Sequence, residues 1–131
     1  MAKIIKTKNV DPDKIYEPPL TIGFGIDSTT VENPQMTMGH TIIPPGARNQ
    51  RHYHVNNDAG MYIIKGRLRF FIGPDKQEVE AEAGDFVYTP KGEIHGLLNL
   101  SDTESVELIF TYPGVPNKDK TGTVYMEPVW E

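Results

Sequence analysis

Short β-rich segments separated by glycine- and proline-containing turns constrain the fold of this chain more than any other feature. The 12 glycines and 11 prolines are spread along the 131 residues and mark the ends of these segments. No stretch has a 3.6-residue apolar period long enough for a substantial helix, and only 9–17 and 116–122 are suited to a helical turn. The predicted strands are 20–26, 35–43, two between 60 and 73, 77–82, 85–89, 94–100 and 105–112. Many short strands at regular spacing predict an all-β sandwich or barrel.

Composition narrows the classes of partner. A length of 131 residues suits one domain with one core. The net charge of -5 argues against nucleic acids and anionic membranes as partners, since both would repel the chain. The absence of cysteine excludes disulfides and thiolate metal sites and fits a reducing compartment. With no apolar run of membrane-spanning length and no secretion signal, we predict a cytoplasmic protein.

Three of the four histidines form a candidate metal site. His52 and His54 are two residues apart, so in a strand both side chains project from the same face. Two imidazoles on one face can bind a divalent metal ion between them. His95, just after the turn at 90–92, is the candidate third ligand.

The residues around these histidines carry two longer patterns. The first is Gly46-x5-His52-x-His54-x3-Asp58-x7-Gly66, and the second is Gly84-x5-Pro90-x-Gly92-x2-His95-x3-Asn99. They resemble the two signature motifs of the cupin superfamily. The second matches at all five fixed positions. The first departs twice, because aspartate stands at the usual position of glutamate and one extra residue precedes the closing glycine.

The resemblance implies a fold, an assembly and a metal. The fold is an antiparallel jelly-roll barrel, also called a double-stranded β-helix, and it agrees with the strand pattern. We expect 1–131 to form a single cupin domain with a barrel core at about 36–112 and two terminal arms. The resemblance also implies a homodimer and one divalent metal ion held by the motif histidines. Trp130, in the C-terminal arm, is expected to dock on the barrel or on a partner subunit.

Asp58 leaves two possibilities open. In typical cupins the motif glutamate is the fourth ligand, and aspartate is one methylene shorter. The extra residue before Gly66 could form a β-bulge that brings Asp58 within ligand distance. Alternatively, Asp58 caps a polar turn and the site has three histidines with open positions. Either donor set suits Fe(II), which we rank first, and also Mn(II), Ni(II) or Zn(II).

Six further residues are candidates for the walls of a substrate pocket. His40 shares one face of its predicted strand with Met38, and we expect both to point inward, with His40 as a core or substrate-contacting residue. Arg48 and Gln50 precede His52 on the same predicted face and are the candidate polar contacts to substrate. Tyr62 and Phe110 are expected to line the apolar part of the cavity.

Two classes of function follow from this site. The first is a mononuclear metalloenzyme acting on a small organic molecule, with oxygenase-type chemistry ranked first because three-histidine cupin sites resemble those of cysteine dioxygenase and acetylacetone dioxygenase. A metal-dependent isomerase, decarboxylase or lyase uses the same site with the metal as a Lewis acid. The second class is a non-catalytic cupin that binds or senses a sugar or another small metabolite.

Overall fold

The computed structural model describes residues 1–126, so the predicted docking of Trp130 lies outside the described residues. Ten strands run through this part of the chain, and two short 3₁₀ turns occupy Thr7–Asn9 and Lys118–Lys120. No helix within 1–126 is long and apolar enough to cross a membrane. The strands are β1 (Thr21–Ile26), β2 (Met36–Ile43), β3 (His52–His54), β4 (Ala59–Lys65), β5 (Arg67–Ile72), β6 (Gln77–Glu82), β7 (Phe86–Thr89), β8 (His95–Asn99), β9 (Val106–Pro113) and β10 (Thr123–Tyr125).

The strands form two five-stranded antiparallel sheets. The first sheet has the order β1-β2-β9-β4-β7, and the second has the order β10-β3-β8-β5-β6. Apolar side chains from the inner faces of both sheets make one core, which includes Ile43, Ile63, Leu68, Phe70 and Leu108. This arrangement confirms the predicted all-β jelly-roll barrel. Along β9 the buried residues Val106, Leu108, Phe110 and Tyr112 alternate with partly buried ones.

Gly66 forms the corner at which the chain leaves the first sheet and enters the second. Its φ of +94° lies in a region that side-chain-bearing residues rarely adopt. A Cβ atom at this position would lie 2.6 Å from Cγ2 of Val106, so only glycine fits. The strand register also shifts between Ile63 and Lys65. As a result, the inward residues of β4 are odd-numbered, whereas those of β5 are even-numbered.

This change of parity corrects the predicted position of Tyr62. A single alternation continued through the corner would place Tyr62 on the same face as Leu68 and Phe70. The structure instead turns Ile63 inward and places Tyr62 on the outer face, where its ring lies 4.9 Å from that of Phe86. The prediction that Tyr62 lines the central cavity is therefore wrong.

The inner face of β2 is also the opposite of the predicted one. Thr37, Thr41 and Ile43 point inward, and Gly39 lies on the same parity. The reason is the cross-strand partner of Gly39, Phe110, whose ring occupies the space that a Cβ atom on Gly39 would enter. The Phe110 side chain on β9 therefore requires glycine at position 39 of β2.

The two terminal arms pair with strands of different sheets and contact each other. Asp13 of the N-terminal arm pairs with Ile22 through two backbone hydrogen bonds of 2.7 and 2.9 Å. The C-terminal strand β10 pairs with β3, which places Thr123 opposite His54. The Tyr125 hydroxyl donates a hydrogen bond to the Tyr16 carbonyl and links the two arms to each other.

Candidate metal centre

The structure brings the three predicted histidines together inside the barrel. His52 and His54 lie on β3, and His95 is the first residue of β8, directly opposite His52 in the register. Their side chains are buried, and one ligand atom from each lies within 4.8 Å of those of the other two. Within residues 1–126 this is the one group of three or more histidine or acidic side chains close enough to hold an ion.

Backbone carbonyls fix the ring orientation of two of these histidines. The Nδ1 atom of His52 lies 2.9 Å from the Gln50 carbonyl oxygen, and that of His95 lies 2.9 Å from the Glu93 carbonyl oxygen. A carbonyl oxygen only accepts, so each Nδ1 must carry the proton. The Nε2 atoms of both neutral rings therefore keep the lone pair that a metal ion requires.

A chain of hydroxyl groups assigns the same tautomer to His54. Thr121 donates its one hydroxyl proton to the Lys118 carbonyl, at 2.8 Å. The 2.7 Å contact between the Thr121 and Thr123 hydroxyls must then use the proton of Thr123. The Thr123 oxygen is left to accept at 3.0 Å from Nδ1 of His54. All three histidines thus offer Nε2 as the metal ligand.

Burial keeps these rings neutral. It lowers the pKa of all three imidazoles, and together with the neighbouring imidazoles it brings the pKa of His54 to about 3 and that of His95 to about 4. Neutral imidazole is the form that binds a metal ion. The donor set is therefore ready for a divalent cation at neutral pH.

A fourth polar side chain, Glu17 of the N-terminal arm, lies beside the histidines and was not predicted from the sequence. Its Oε1 atom lies 3.1 Å from Nε2 of His52 and accepts a hydrogen bond of 3.1 Å from Nδ2 of Asn49. Burial raises the pKa of this carboxyl group. Asn49 is itself held by a hydrogen bond from the Leu97 amide to its Oδ1. Neither Glu17 nor Asn49 stands at a motif position.

Asp58 lies away from this cluster. Its Oδ1 accepts a hydrogen bond from the Lys91 amide at 2.9 Å, and its Oδ2 accepts one from the Tyr88 hydroxyl at 3.0 Å. The Lys91 amide, followed by the Tyr88 hydroxyl, lowers the pKa of the Asp58 carboxyl. Both oxygens are therefore used to tie the turn after β3 to the turn after β7. This geometry corrects the ligand alternative for Asp58 and agrees with the turn alternative.

Replacing Asp58 with asparagine tests this assignment. Because Asp58 holds two turns together and makes no contact with the histidines, we expect Asp58→Asn to bind one metal ion per chain with unchanged affinity. Metal content by mass spectrometry and a chelator competition titration measure both quantities. A variant that folds but no longer binds metal would show that Asp58 reaches the ion.

The remaining pocket candidates divide into two groups. Phe110 lines the cavity beside the histidines, as predicted. His40 and Met38 do not, because β2 turns them to the outer face, where Nε2 of His40 lies 2.6 Å from a carboxylate oxygen of Glu107. The expectation that His40 and Met38 point inward is therefore wrong.

Arg48 and Gln50 also lie outside the cavity wall. The predicted alternation would have placed both on the face of His52, but β3 begins only at His52 and the preceding residue that points inward is Asn49. The Gln50 side chain instead donates a 2.6 Å hydrogen bond to the Met126 carbonyl, and Arg48 is exposed. Their predicted place beside His52 is corrected accordingly.

The cavity at the histidines is small. Its volume is about 20 Å³, enough for one water molecule or ion but not for an organic molecule. Glu17 of the N-terminal arm forms part of its wall, and the Tyr125 ring of the C-terminal arm lies 5.8 Å from the ring of His52. The remaining wall residues are Leu20, Thr41, Asn49, Met61, Leu97, Leu108, Phe110 and Tyr112.

Residues 39–112 match the sequence model of the family described as Cupin domain. The chain belongs to the cupin family. The match confirms the resemblance carried by the two motifs, and it leaves both arms, including Glu17, outside the family's shared region. Cupins generally bind a divalent metal ion, and the three-histidine cluster of this cupin is suited to one.

Two relatives with similar sequences carry no assigned function. This cupin is 25% identical over 85 residues to an uncharacterized protein of Methanocaldococcus jannaschii and 29% identical over 68 residues to an uncharacterized protein of Aquifex aeolicus. The alignments cover 65% and 52% of this chain. They span 66% and 54% of the relatives, which is less than two thirds of each.

Several solved structures share the fold at low sequence identity. The polyketide cyclase RemF from Streptomyces resistomycificus has a TM-score of 0.77 and 15% identity, with 98% of this chain and 89% of RemF covered. Streptomyces PAC13, solved with uridine, has a TM-score of 0.78 and 13% identity, with 99% and 95% covered. Lactobacillus farciminis oxalate decarboxylase, in a formate complex, has a TM-score of 0.74 and 16% identity, with 91% and 34% covered. At these identities the likeness extends to the fold alone.

Proposed function

We propose that this cupin is a mononuclear metalloenzyme that acts on a small organic molecule, with oxygenase-type chemistry as the first candidate. The observation that supports the proposal is the convergence of three buried, neutral imidazoles whose Nδ1 atoms are all engaged elsewhere. His52, His54 and His95 would hold the ion through Nε2. Fe(II) is the first candidate metal, and Mn(II), Ni(II) or Zn(II) also suit this donor set.

The chain's own residues have separate tasks in this proposal. A bound metal ion supplies a Lewis acid and, in the case of iron, a redox centre. The Gln50 and Glu93 carbonyls and the Thr123 hydroxyl hold the three rings in the ligating orientation. The apolar wall around Phe110 and Leu108 excludes bulk water from the site. An isomerase, decarboxylase or lyase would use the same residues without consuming oxygen.

Metal analysis followed by oxygen uptake tests the proposal. Protein purified without a chelator is expected to carry one metal ion per chain. The iron-loaded protein is then assayed against a panel of 1,3-diketones, catechols and thiols, with oxygen consumption and product formation recorded together. Turnover with oxygen uptake supports the oxygenase, and turnover without it supports the Lewis-acid alternative. Stoichiometric metal with no turnover of any compound argues against both enzymatic alternatives.

The small cavity favours one further candidate, a non-catalytic cupin that binds or senses a small metabolite. A space of about 20 Å³ does not admit an organic substrate unless an arm or a side chain moves. Under this alternative the ligand binds at the mouth, and the metal has a structural or sensing role. Ligand-induced shifts in thermal stability without any turnover would favour it over the enzyme.

We also propose that this cupin forms a homodimer through the outer face of its first sheet. Phe86 and Tyr88 are 83% and 67% exposed there, and they border an apolar groove with Met38, Tyr62 and Ile109. Exposed apolar patches of this kind mark interaction sites. A second copy presents the same patch, which suits a two-fold interface, and the family resemblance implies a dimer.

The Phe86→Glu variant tests the dimer. A charge in the centre of an apolar interface is costly to bury, so we expect the variant to be a monomer by analytical ultracentrifugation while the wild type is a dimer. The control is Val55→Glu, an apolar position just after β3 of the other sheet that is 53% exposed and lies outside the groove beside Phe86. The control should remain a dimer. A wild type that is monomeric, or a dimer that Phe86→Glu does not dissociate, contradicts this interface.

A further inference from the structure

We propose that Glu17, on the N-terminal arm, is the fourth protein ligand of the metal ion, in place of the carboxylate that Asp58 does not supply. The inference rests on the proposed metal site and adds to it a ligand from outside the region shared with the family. The three-histidine cluster by itself leaves the site with imidazole donors alone. Glu17 would add one carboxylate oxygen to them.

The first support is position. Glu17 lines the same 20 Å³ cavity as His52, His54 and His95, and its carboxylate is largely buried. Asn49, the other polar wall residue near it, donates to its Oε1 at 3.1 Å and so fixes its direction. A cavity of this size, lined by three imidazoles and one carboxylate, suits a single ion.

The second support is the contact between Glu17 and His52. The Nδ1 atom of His52 donates to a carbonyl, so in the neutral ring Nε2 holds a lone pair and no proton. Oε1 of Glu17 lies 3.1 Å from this Nε2 and, when ionised, also has only lone pairs. Two acceptors at this separation repel each other unless a proton or a metal ion lies between them. A divalent cation bound by both atoms removes the repulsion and neutralises the buried carboxylate.

The third support is the anchoring of the arm. Glu17 lies between two fixed points, the Asp13–Ile22 backbone pair and the turn in which the Leu20 amide donates to the Glu17 carbonyl at 2.8 Å. The neighbouring Tyr16 hydroxyl contacts the Thr123 hydroxyl, which also holds His54. The carboxylate and a histidine ligand are therefore held by one connected set of hydrogen bonds. The N-terminal arm would therefore supply a metal ligand as well as part of the cavity wall.

The Glu17→Gln variant tests this proposal with Co(II) as the probe. Glutamine keeps the size of the side chain but is a far weaker metal ligand. Loss of an outer-shell partner typically weakens metal binding 10–100-fold, so loss of a direct ligand should weaken Co(II) binding by about 100-fold or more in a chelator competition titration. The visible absorption spectrum of bound Co(II) should also change, because the donor set changes. The matched control is Glu107→Gln on the outer face, which should behave as the wild type.

Two further variants separate the possible outcomes. Glu17→Asp keeps the charge but shortens the side chain by one methylene, so we expect a Co(II) affinity between those of the wild type and Glu17→Gln. This variant also keeps the test available if Glu17→Gln folds poorly. Unchanged Co(II) affinity and spectrum in both Glu17 variants would overturn this inference. If the Glu17 variants bind Co(II) like the wild type but His52→Ala does not, only the assignment of Glu17 as a ligand is wrong. If His52→Ala also binds Co(II) like the wild type, the proposed metal site itself is wrong.

Discussion

The His52→Ala variant is expected to lose its bound metal ion. His52 lies at the centre of the cluster, with its ring 5.0 Å from that of His54 and 4.4 Å from that of His95. Its removal leaves two imidazoles and opens a gap in a closed wall. Metal content by mass spectrometry should fall from one ion per chain to near zero, and His95→Ala should give the same result.

The same variant should lose the stabilisation that metal provides. A ligand that binds only the folded state, at 100 times its dissociation constant, stabilises that state by about 2.7 kcal/mol. Added metal should therefore raise the thermal midpoint of the wild type by several degrees and leave that of His52→Ala unchanged. The control is His40→Ala, which removes a half-exposed histidine from the outer face and should keep both the ion and the shift. Retention of metal by a folded His52→Ala protein would contradict the site.

The Gly66→Ala variant is expected to produce the largest loss of stability among the glycine substitutions of the two motifs. Two effects add at this corner. The φ of +94° is strained for alanine, which costs about 1–3 kcal/mol. The new Cβ atom would also lie 2.6 Å from Cγ2 of Val106, and overpacking of this kind typically costs a further 1–3 kcal/mol or so. We therefore expect the free energy of unfolding to fall by about 2–6 kcal/mol.

Gly84→Ala is the matched control for that variant. Gly84 has nearly the same φ, +96°, but nothing lies within 4 Å of the Cβ position. It should show the backbone penalty alone, about 1–3 kcal/mol. Urea unfolding of the metal-free proteins measures both changes. Equal destabilisation by the two substitutions would show that the contact with Val106 is not what requires glycine at the corner.

The strand pattern and the histidine spacing predicted much of the fold because both depend on local alternation. Period-2 patterns located strands such as β2 and β9 closely, and the same rule placed His52 and His54 on one face. The rule failed where the register changes. At the Gly66 corner the inward-pointing residues change from odd to even numbers, so Tyr62 was assigned to the wrong face. A sequence pattern does not reveal such a reversal, because it depends on which sheet the next strand joins.

The predicted inner face of β2 was wrong for a different reason. By hydrophobicity, Met38 and Ile42 are better core residues than Gly39 and Thr41, so the larger pair was expected inside. In the structure the smaller pair points inward, because the Phe110 ring fills the space that a side chain at position 39 would need. Cross-strand volume is a property of the paired sheet, which a single strand does not show.

Glu17 was missed because it is far from the histidines in sequence. It lies 35 positions before His52, in a segment whose neighbours Pro18 and Pro19 indicate only a turn. The one available signal in the sequence was the aspartate at position 58, where the first motif usually has glutamate. A site without that glutamate could take a carboxylate ligand from another part of the chain. Finding the replacement required the path of the arm across the barrel.

Anomalous diffraction from crystals grown with Zn(II) would locate the metal ion relative to the three histidines. We expect one strong anomalous peak inside the barrel, at about 2.0–2.1 Å from the Nε2 atoms of His52, His54 and His95. Full zinc occupancy elsewhere on the chain, with these three rings turned away from a common point, would contradict it.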